Sequence, residues 1–469
     1  MSAYKLLING EFVDGAGGTV DVINPATEKP VAACPVADVA QVNAAVAAAK
    51  AAFPAWSRRT VAERGQLVDQ LANALMARQD EFAKLLTAEQ GKPLDQAAFE
   101  VIGSVFTLKA FVDMKLEPKV IRETPENRVV EYRAPLGVVA SITPWNFPLI
   151  LLMNKLGPCL LAGNTMVSKP APTTPLTTLL FATIANEILP PGVFNVVCDR
   201  NDLGGVLTAH PDVAKVAFTG STATGRKVMK SASDTVKRVT LELGGNDAAI
   251  VLDDVDPIEV AGKLFFGATL NAGQICVAVK RAYIPASLYD GVCGELARLA
   301  DAAVVDDGDK PGTQIGPVQN KMQYEKLKEF LADAKANGNI IAGGTTLNRP
   351  GYFIRPTIVR DIPETSRIVA EEQFGPILPV LSYTDVNEVV ATVNQSEFGL
   401  AGTVWGKDVN RAMEIAAQVD SGTIWVNQHL AIDAAIPFRG AKQSGLGAEL
   451  GEAGLLEYTQ ARVVNAALV

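Results

Sequence analysis

From Gly137 onward the chain alternates short apolar, β-rich runs with helical stretches, and this constrains its fold more than any other feature. "GVVASITP" reads as a strand and "LILLMNKLGPCLLAG" as a helix. "NTMVSKP" is again a strand, "TPLTTLLFATIANEIL" a helix and "VFNVV" a strand. "VAKVAFTG", "STATGRKVMKSAS" and "VKRVTLELGG" continue as strand, helix and strand. Parallel strands need a crossover between them, usually a helix, so this rhythm predicts a doubly wound parallel sheet. A second alternating stretch begins near Asn246 and runs to about residue 440. With 469 residues, 48% of them hydrophobic, there is material for two or three cores. We therefore expect two α/β domains. Residues 38–115 read mostly as helices, with Asp38 and Thr60 as N-caps and Gly91 as a stop. The N-terminus reads as a short strand pair around Asn9-Gly10, and residues 116–135 as extended and polar.

Charge and residue counts remove several function classes. A net charge of −9 and a pI near 5.1 argue against nucleic acid as the main partner. No uninterrupted apolar run reaches membrane-spanning length, and charges interrupt the N-terminus where a signal peptide would need an apolar stretch. The five cysteines (34, 159, 198, 276 and 293) are scattered without CxxC spacing. That suits a reducing cytoplasm and no metal. There are two histidines. His210 reads as a loop residue in "AHPDVAKV", and His429 follows the strand-like "GTIWVNQ" and could border a cleft. A catalytic cysteine here would take a carboxylate as its base.

Six stretches carry possible chemistry, each with a plainer reading beside it. Cys276 in "NAGQICVAVKR" is a nucleophile or a core thiol. "FTGSTATG" runs from a strand into a helix, whose N-terminus with Ser221 suits a pyrophosphate or is simply an N-capped turn. Lys169 in "SKPAPTTP" ends a strand, facing a ribose or only solvent. Asn146 in "TPWNFPL" donates to an oxyanion or sits in a turn beside core aromatics. Glu242 in "LELGGND" is a part-buried base with a raised pKa or an edge glutamate in water. Glu372 and Phe374 in "EEQFGPILPV" flank Gln373 before a Gly-Pro turn, and each alone is unremarkable.

Together with "PFRGAKQSGLGAELG", and in this order and spacing, these motifs make the chain resemble the NAD(P)-dependent aldehyde dehydrogenase superfamily from end to end. The resemblance implies two doubly wound, Rossmann-like α/β domains plus a small β oligomerisation element. Residues 1–115 and 136–244 would bind NAD(P), 245–443 would carry the nucleophile, and 116–135 with 455–469 would be bridging strands of a homodimer or homotetramer. It implies Cys276 as the nucleophile, Asn146 with the Cys276 backbone N–H as the oxyanion hole, and Glu242 as the base that activates the hydrolytic water. Glu449 and Lys155 match residues that support proton relay. On the cofactor side Lys169 matches the adenosine-ribose lysine and Ser221 the pyrophosphate contact. Thr143, Trp145, Gly220, Gly225 and Leu243 match positions along the same path. Glu372 matches the nicotinamide-ribose residue, Phe374 packs beside the nicotinamide, and Gln323 and Lys326 match further ribose contacts.

One departure bears on the cofactor. Where many NAD-preferring members carry Glu three residues after the lysine, this chain has Pro172, which neither accepts a side-chain hydrogen bond nor repels a 2′-phosphate. NAD is the expected cofactor with NADP tolerated, Lys169 having a charge that can meet either; otherwise discrimination falls to the loop around 199–205. The funnel positions Phe147, Asn154, Ile275, Val277, Leu430, Ile432 and Phe438 are mostly apolar. They imply an aliphatic or aromatic aldehyde substrate, with a semialdehyde as the alternative. Two rivals remain: a CoA-acylating relative, which would generally lack the glutamate at 242, and a catalytically silent protein on the same fold.

Overall fold

The computed structural model describes residues 4–468. The helical opening forms as four helices, Val39–Ser57, Val61–Ala77, Gln79–Gln90 and Leu94–Val112. Local chemistry fixes their ends. Asp38 and Gln41 form a capping box, as do Thr60 and Glu63. Gly91 closes the third helix at φ 95°, a conformation glycine adopts without strain. The run from Thr60 to Gly91 is not one continuous helix. It breaks at Arg78 (φ −113°, ψ 22°), whose guanidinium pairs with Glu81 and reaches Thr183.

The first sheet has eight strands. Its parallel interior runs Phe194–Val196, Thr165–Lys169, Val138–Ile142, Val213–Thr219, Arg238–Glu242. Short antiparallel strands close both flanks: Glu11–Val13 with Leu6–Ile8 on one side, Gly445–Leu446 on the other. The strands Val138–Ile142 and Thr165–Lys169 are buried throughout, as helix-covered parallel strands must be. Successive strands build outward from Val138–Ile142 to Phe194–Val196, then the chain crosses over to Val213–Thr219 on the opposite side. That reversal is a topological switch point, where open α/β sheets leave a crevice at the carboxyl ends of the strands.

The second sheet has seven strands in the order Asn339–Ala342, Thr357–Arg360, Ile377–Tyr383, Arg281–Pro285, Ala248–Val251, Ala401–Trp405, Thr423–Val426, all parallel except the first. Strand alternation divides its apolar residues between two cores. Ala248, Ile250, Tyr283 and Val404 face one, and Ala249, Val251, Ala282, Ile284 and Trp405 the other. The extended segment 116–135 and the tail meet in a third sheet, with Thr459–Ala467 and Lys119–Glu123 both antiparallel to Asn127–Pro135. Residues 455–456 belong to the preceding helix Gly451–Leu456, and 469 lies outside the described residues. Among the described residues no helix is long and apolar enough to cross a membrane.

Candidate active site

Carboxyl ends of the first sheet's parallel strands bring together Thr143, Lys169, Gly220 and Glu242, with Ile142 in register with Lys169 and Thr219 with Glu242. The second unit faces them with the loop carrying Cys276. That loop begins with Asn271, Ala272 and Gly273, all in the left-handed region at φ 52°, 53° and 71°. Asparagine and glycine tolerate this; for Ala272 it costs of order 1–3 kcal/mol. A Cβ on Gly273 would lie 2.3 Å from the Gly375 carbonyl, so the turn packs directly on the 372–375 segment.

Buried hydrogen bonds hold the Cys276 loop. The Asn146 side-chain Nδ2 donates to the Gln274 carbonyl at 2.9 Å, which leaves its second N–H for another acceptor. The Asn146 carbonyl accepts from Lys92 Nζ at 3.0 Å and from Asn271 Nδ2 at 3.1 Å. Lys92 is paired in turn with Glu100, both side chains fully buried, and Glu100 also accepts from Leu149 N at 2.9 Å at the start of the helix Ile150–Ala162. Beyond Cys276, the buried Lys280 donates to the carbonyls of Ile275 (2.7 Å) and Cys276 (3.0 Å). Sequence reading missed Lys92, Glu100, Gln274 and Lys280. Of these, Lys280, closing the apolar run "CVAVK", gave the one usable signal: a cation there must find acceptors.

Among the five cysteines Cys276 alone is not buried. Desolvation pushes its thiol up to about 12; Lys280 opposes the shift, while Glu372, Asp247 and Glu242 add to it. Glu242 is buried rather than an edge glutamate in water, and neither of its carboxylate oxygens has a hydrogen-bond partner. Desolvation first, and the nearby Glu449 second, raise its pKa well above the ordinary range, with Lys155 acting in the opposite direction. Lys155 is itself buried between Glu449, with which it pairs, and Thr219 Oγ1 at 2.6 Å. Neither histidine hydrogen-bonds to Cys276 among the described residues. His429 lies edge-on to Trp425, and burial lowers its pKa to about 4, so it is neutral; His210 accepts from Asp212 N in a turn.

The residues at the switch point fit a dinucleotide. Ser221 caps the helix Thr222–Ser233, whose first-turn N–H groups and dipole suit a pyrophosphate. Gly225 has no room for a Cβ, because Leu243 would stand 2.4 Å from it, and Gly220 is similarly closed by Phe218. Thr143 Oγ1 is buried without a partner. Across the crevice, Glu372 accepts from Gly245 N at 3.1 Å, and Phe374, at φ 53°, stacks edge-on against Trp145 with centroids 5.3 Å apart. Gln323 and Lys326 stand behind this turn: Gln323 donates to the carbonyls of Gln373 and Phe374, and Lys326 to that of Glu372. Pro172 occupies the second position of a turn closed by Thr174 N to Ala171 O, where proline's fixed φ is favoured. Lys169 Nζ is paired with the buried Asp199 at 2.8 Å, a counter-ion that sequence reading missed.

Around Cys276, Phe147, Leu430 and Phe438 pack against the buried Ile275, Val277 and Trp425. Asn154 is half-buried on the helix Ile150–Ala162, whereas Ile432 is exposed and outside this apolar cluster.

The aldehyde dehydrogenase family model matches residues 12–464. The chain is 36% identical to the succinate-semialdehyde dehydrogenase [NADP(+)] GabD of Escherichia coli K12, covering 97% of this chain and 96% of that protein. It is 37% identical to the phenylacetaldehyde dehydrogenase of Pseudomonas fluorescens, covering 98% and 95%. The structure of Staphylococcus aureus betaine aldehyde dehydrogenase in complex with NAD+ superposes with a TM-score of 0.97 at 31% identity, covering 100% of this chain and 95% of that one.

The elevated thiol pKa gives a direct test. In the ligand-free protein alkylation of Cys276 by iodoacetamide should climb roughly tenfold per pH unit and still be rising at about pH 9.5, since the thiolate is the reacting form. Peptide mass spectrometry locates the label, and a rate that levels off near neutral pH contradicts the desolvation argument.

Proposed function

The chain belongs to the aldehyde dehydrogenase family, and from this we propose that it oxidises an aldehyde to the carboxylic acid with reduction of NAD(P)+ (EC 1.2.1.-), through a covalent intermediate on Cys276. Glu242 carries the reading: two buried carboxylate oxygens without partners, at a strand end facing the cysteine loop, are costly unless a water or a proton takes them. The unit built on the first sheet holds the dinucleotide, and the unit built on the second supplies the nucleophile.

The Cys276 S–H gives its proton to the Glu242 carboxylate through a water as the sulfur adds to the aldehyde carbon, and the carbonyl pair moves onto oxygen; Glu242 passes that proton on through Glu449 before the hydrolytic step. The free N–H of Asn146 and the Cys276 backbone N–H meet the developing charge. The Lys92 and Gln274 contacts fix the amide before the substrate arrives, so little reorganisation is needed. A bound NAD(P)+ would supply the hydride acceptor needed for this adduct to become a thioester. Glu242 then takes a proton from water as the water oxygen attacks the acyl carbon; the C–S bond breaks, the acid leaves and the thiol is restored. Glu449, with its Lys155 partner, supports the protonation state of Glu242 and relays the proton onward. Lys169 and Ser221 hold the adenosine side and the pyrophosphate, and Glu372, Phe374 and Trp145 the nicotinamide side. Gln323 and Lys326 act by holding the 372–374 turn.

The substrate is an apolar aliphatic or aromatic aldehyde. Support comes from the apolar wall of Phe147, Ile275, Val277, Leu430 and Phe438 around the cysteine. Lys92 lies 3.7 Å from the Phe147 ring centroid but is already paired with Glu100, so it is poorly placed to clamp a substrate carboxylate. The enzyme works in the cytoplasm as a homodimer or homotetramer. The three-stranded sheet supports assembly, since it exposes Val120, Ile121, Tyr132, Val463 and Val464 beside open strand edges.

Cys276→Ala should abolish NADH production with a panel of aldehydes while leaving dinucleotide binding intact; substantial residual turnover would reassign the nucleophile. Glu242→Gln should slow steady-state turnover by roughly 10²–10⁴-fold, the scale for losing a general base. A burst of NADH near one per active site should survive, because hydride transfer precedes the blocked hydrolysis. Unchanged turnover would send the search for the base to Glu449. Light scattering at micromolar concentration should give a dimer or tetramer mass, and a monomer mass would refute the assembly.

A further inference from the structure

We propose that Asp199 sets the cofactor choice, making the enzyme select a dinucleotide with a free ribose 2′-hydroxyl over one carrying a 2′-phosphate. The inference rests on the functional reading above and makes its cofactor specific.

Lys169 ends the strand Thr165–Lys169, next to the strand at the switch point. In doubly wound sheets the group that reads the adenosine ribose stands near that place: a carboxylate on the hydroxyls, or a cation on a 2′-phosphate. Here a cation and a carboxylate both occupy it. Asp199 follows the neighbouring strand Phe194–Val196, which is in register with Thr165–Lys169 through Ser168 and Val196. Its Oδ1 lies 2.8 Å from Lys169 Nζ, with the two side chains only 1% and 6% exposed. Its Oδ2 accepts from Leu203 N at 3.0 Å, which ties the side chain to the loop ahead of the helix Gly204–Ala209. Each carboxylate oxygen keeps a further lone pair for a ribose hydroxyl.

A 2′-phosphate adds about −1.5 to −2 charges at pH 7. An unpaired lysine would attract it. Here the lysine charge is already neutralised, and the phosphate would meet a carboxylate in a site that is largely closed to water, where like charges are poorly screened. The next cation offers no relief, because Arg200 donates to the carbonyls of Gly17 (2.8 Å) and Thr19 (3.0 Å). Pro172 adds no side-chain acceptor, so the discrimination that position lacks is supplied by Asp199, thirty residues after Lys169 in sequence, across a buried ion pair.

Dissociation constants test this without turnover. On the purified full-length enzyme, calorimetry would measure NAD+, NADP+, AMP and adenosine 2′,5′-bisphosphate, the last pair isolating the 2′-phosphate. Wild type should bind NAD+ at least about tenfold more tightly than NADP+, and AMP more tightly than the bisphosphate. Asp199→Asn, near-isosteric and uncharged, should tighten NADP+ and the bisphosphate by about tenfold or more, with a much smaller change for NAD+. Asp199→Glu, which keeps the charge, should keep the preference. Equal wild-type affinity for the two dinucleotides overturns the inference even if the variants fail to fold, and leaves the proposed oxidation standing. An unchanged ratio in folded Asp199→Asn also overturns it. If wild type binds neither dinucleotide, the functional reading falls as well.

Discussion

The clasp at Asn146 is the interaction on which the site depends. Its carbonyl accepts from Lys92 and Asn271, and its amide donates to Gln274. One residue thus joins the helices that pack on the first sheet to the loop that carries Cys276. All of these groups are buried, so none can exchange its partner for water without loss. Truncating the Asn146 side chain would remove the 2.9 Å bond to the Gln274 carbonyl in a dry interior, while Lys92 would keep Glu100 and the Asn146 backbone carbonyl.

Around that clasp, burial tunes the chemistry. Only two histidines are available, and His429 is kept neutral against Trp425. In the proposed mechanism carboxylates and lysines carry the proton traffic instead. The contrast between Glu449 and Glu242 is instructive. Glu449 has Lys155 and, through it, Thr219, whereas the Glu242 carboxylate has no hydrogen-bond partner among the described residues. Two neighbouring carboxylates thus have different environments, one paired and one raised in pKa by desolvation and by its neighbour's charge. In the proposed mechanism that separation divides the roles of support and base between residues of the same chemical type. A like pairing occurs at the end of the strand Thr165–Lys169, where Asp199 satisfies Lys169.

Much of this was legible in the sequence. The alternation after Gly137 pointed to two parallel sheets, because short continuous apolar runs separated by helices are buried on both faces when the helices cover the sheet. Asp38, Thr60 and Gly91 marked helix ends because capping is a local interaction between residues three or four apart. Order and spacing of the motifs around Asn146, Lys169, Ser221, Glu242, Cys276 and Glu372 pointed to the residues the crevice gathers.

Only the tertiary structure decided which partner each of those residues has. Nothing near Lys169 in the chain names Asp199 as its counter-ion, and nothing near Asn146 names Lys92, since these pairs are separated by 30 and 54 positions. Whether Glu242 met water or a dry interior depended on the loops that close over the strand ends. Gln323 and Lys326 lie close to the crevice, but folding directs their side chains to the carbonyls of the 372–374 turn. Local pattern reports propensity and periodicity, which act over a few residues. Burial, charge pairing and pKa are set by what the fold brings to within a few ångströms, and that information is spread over the whole chain.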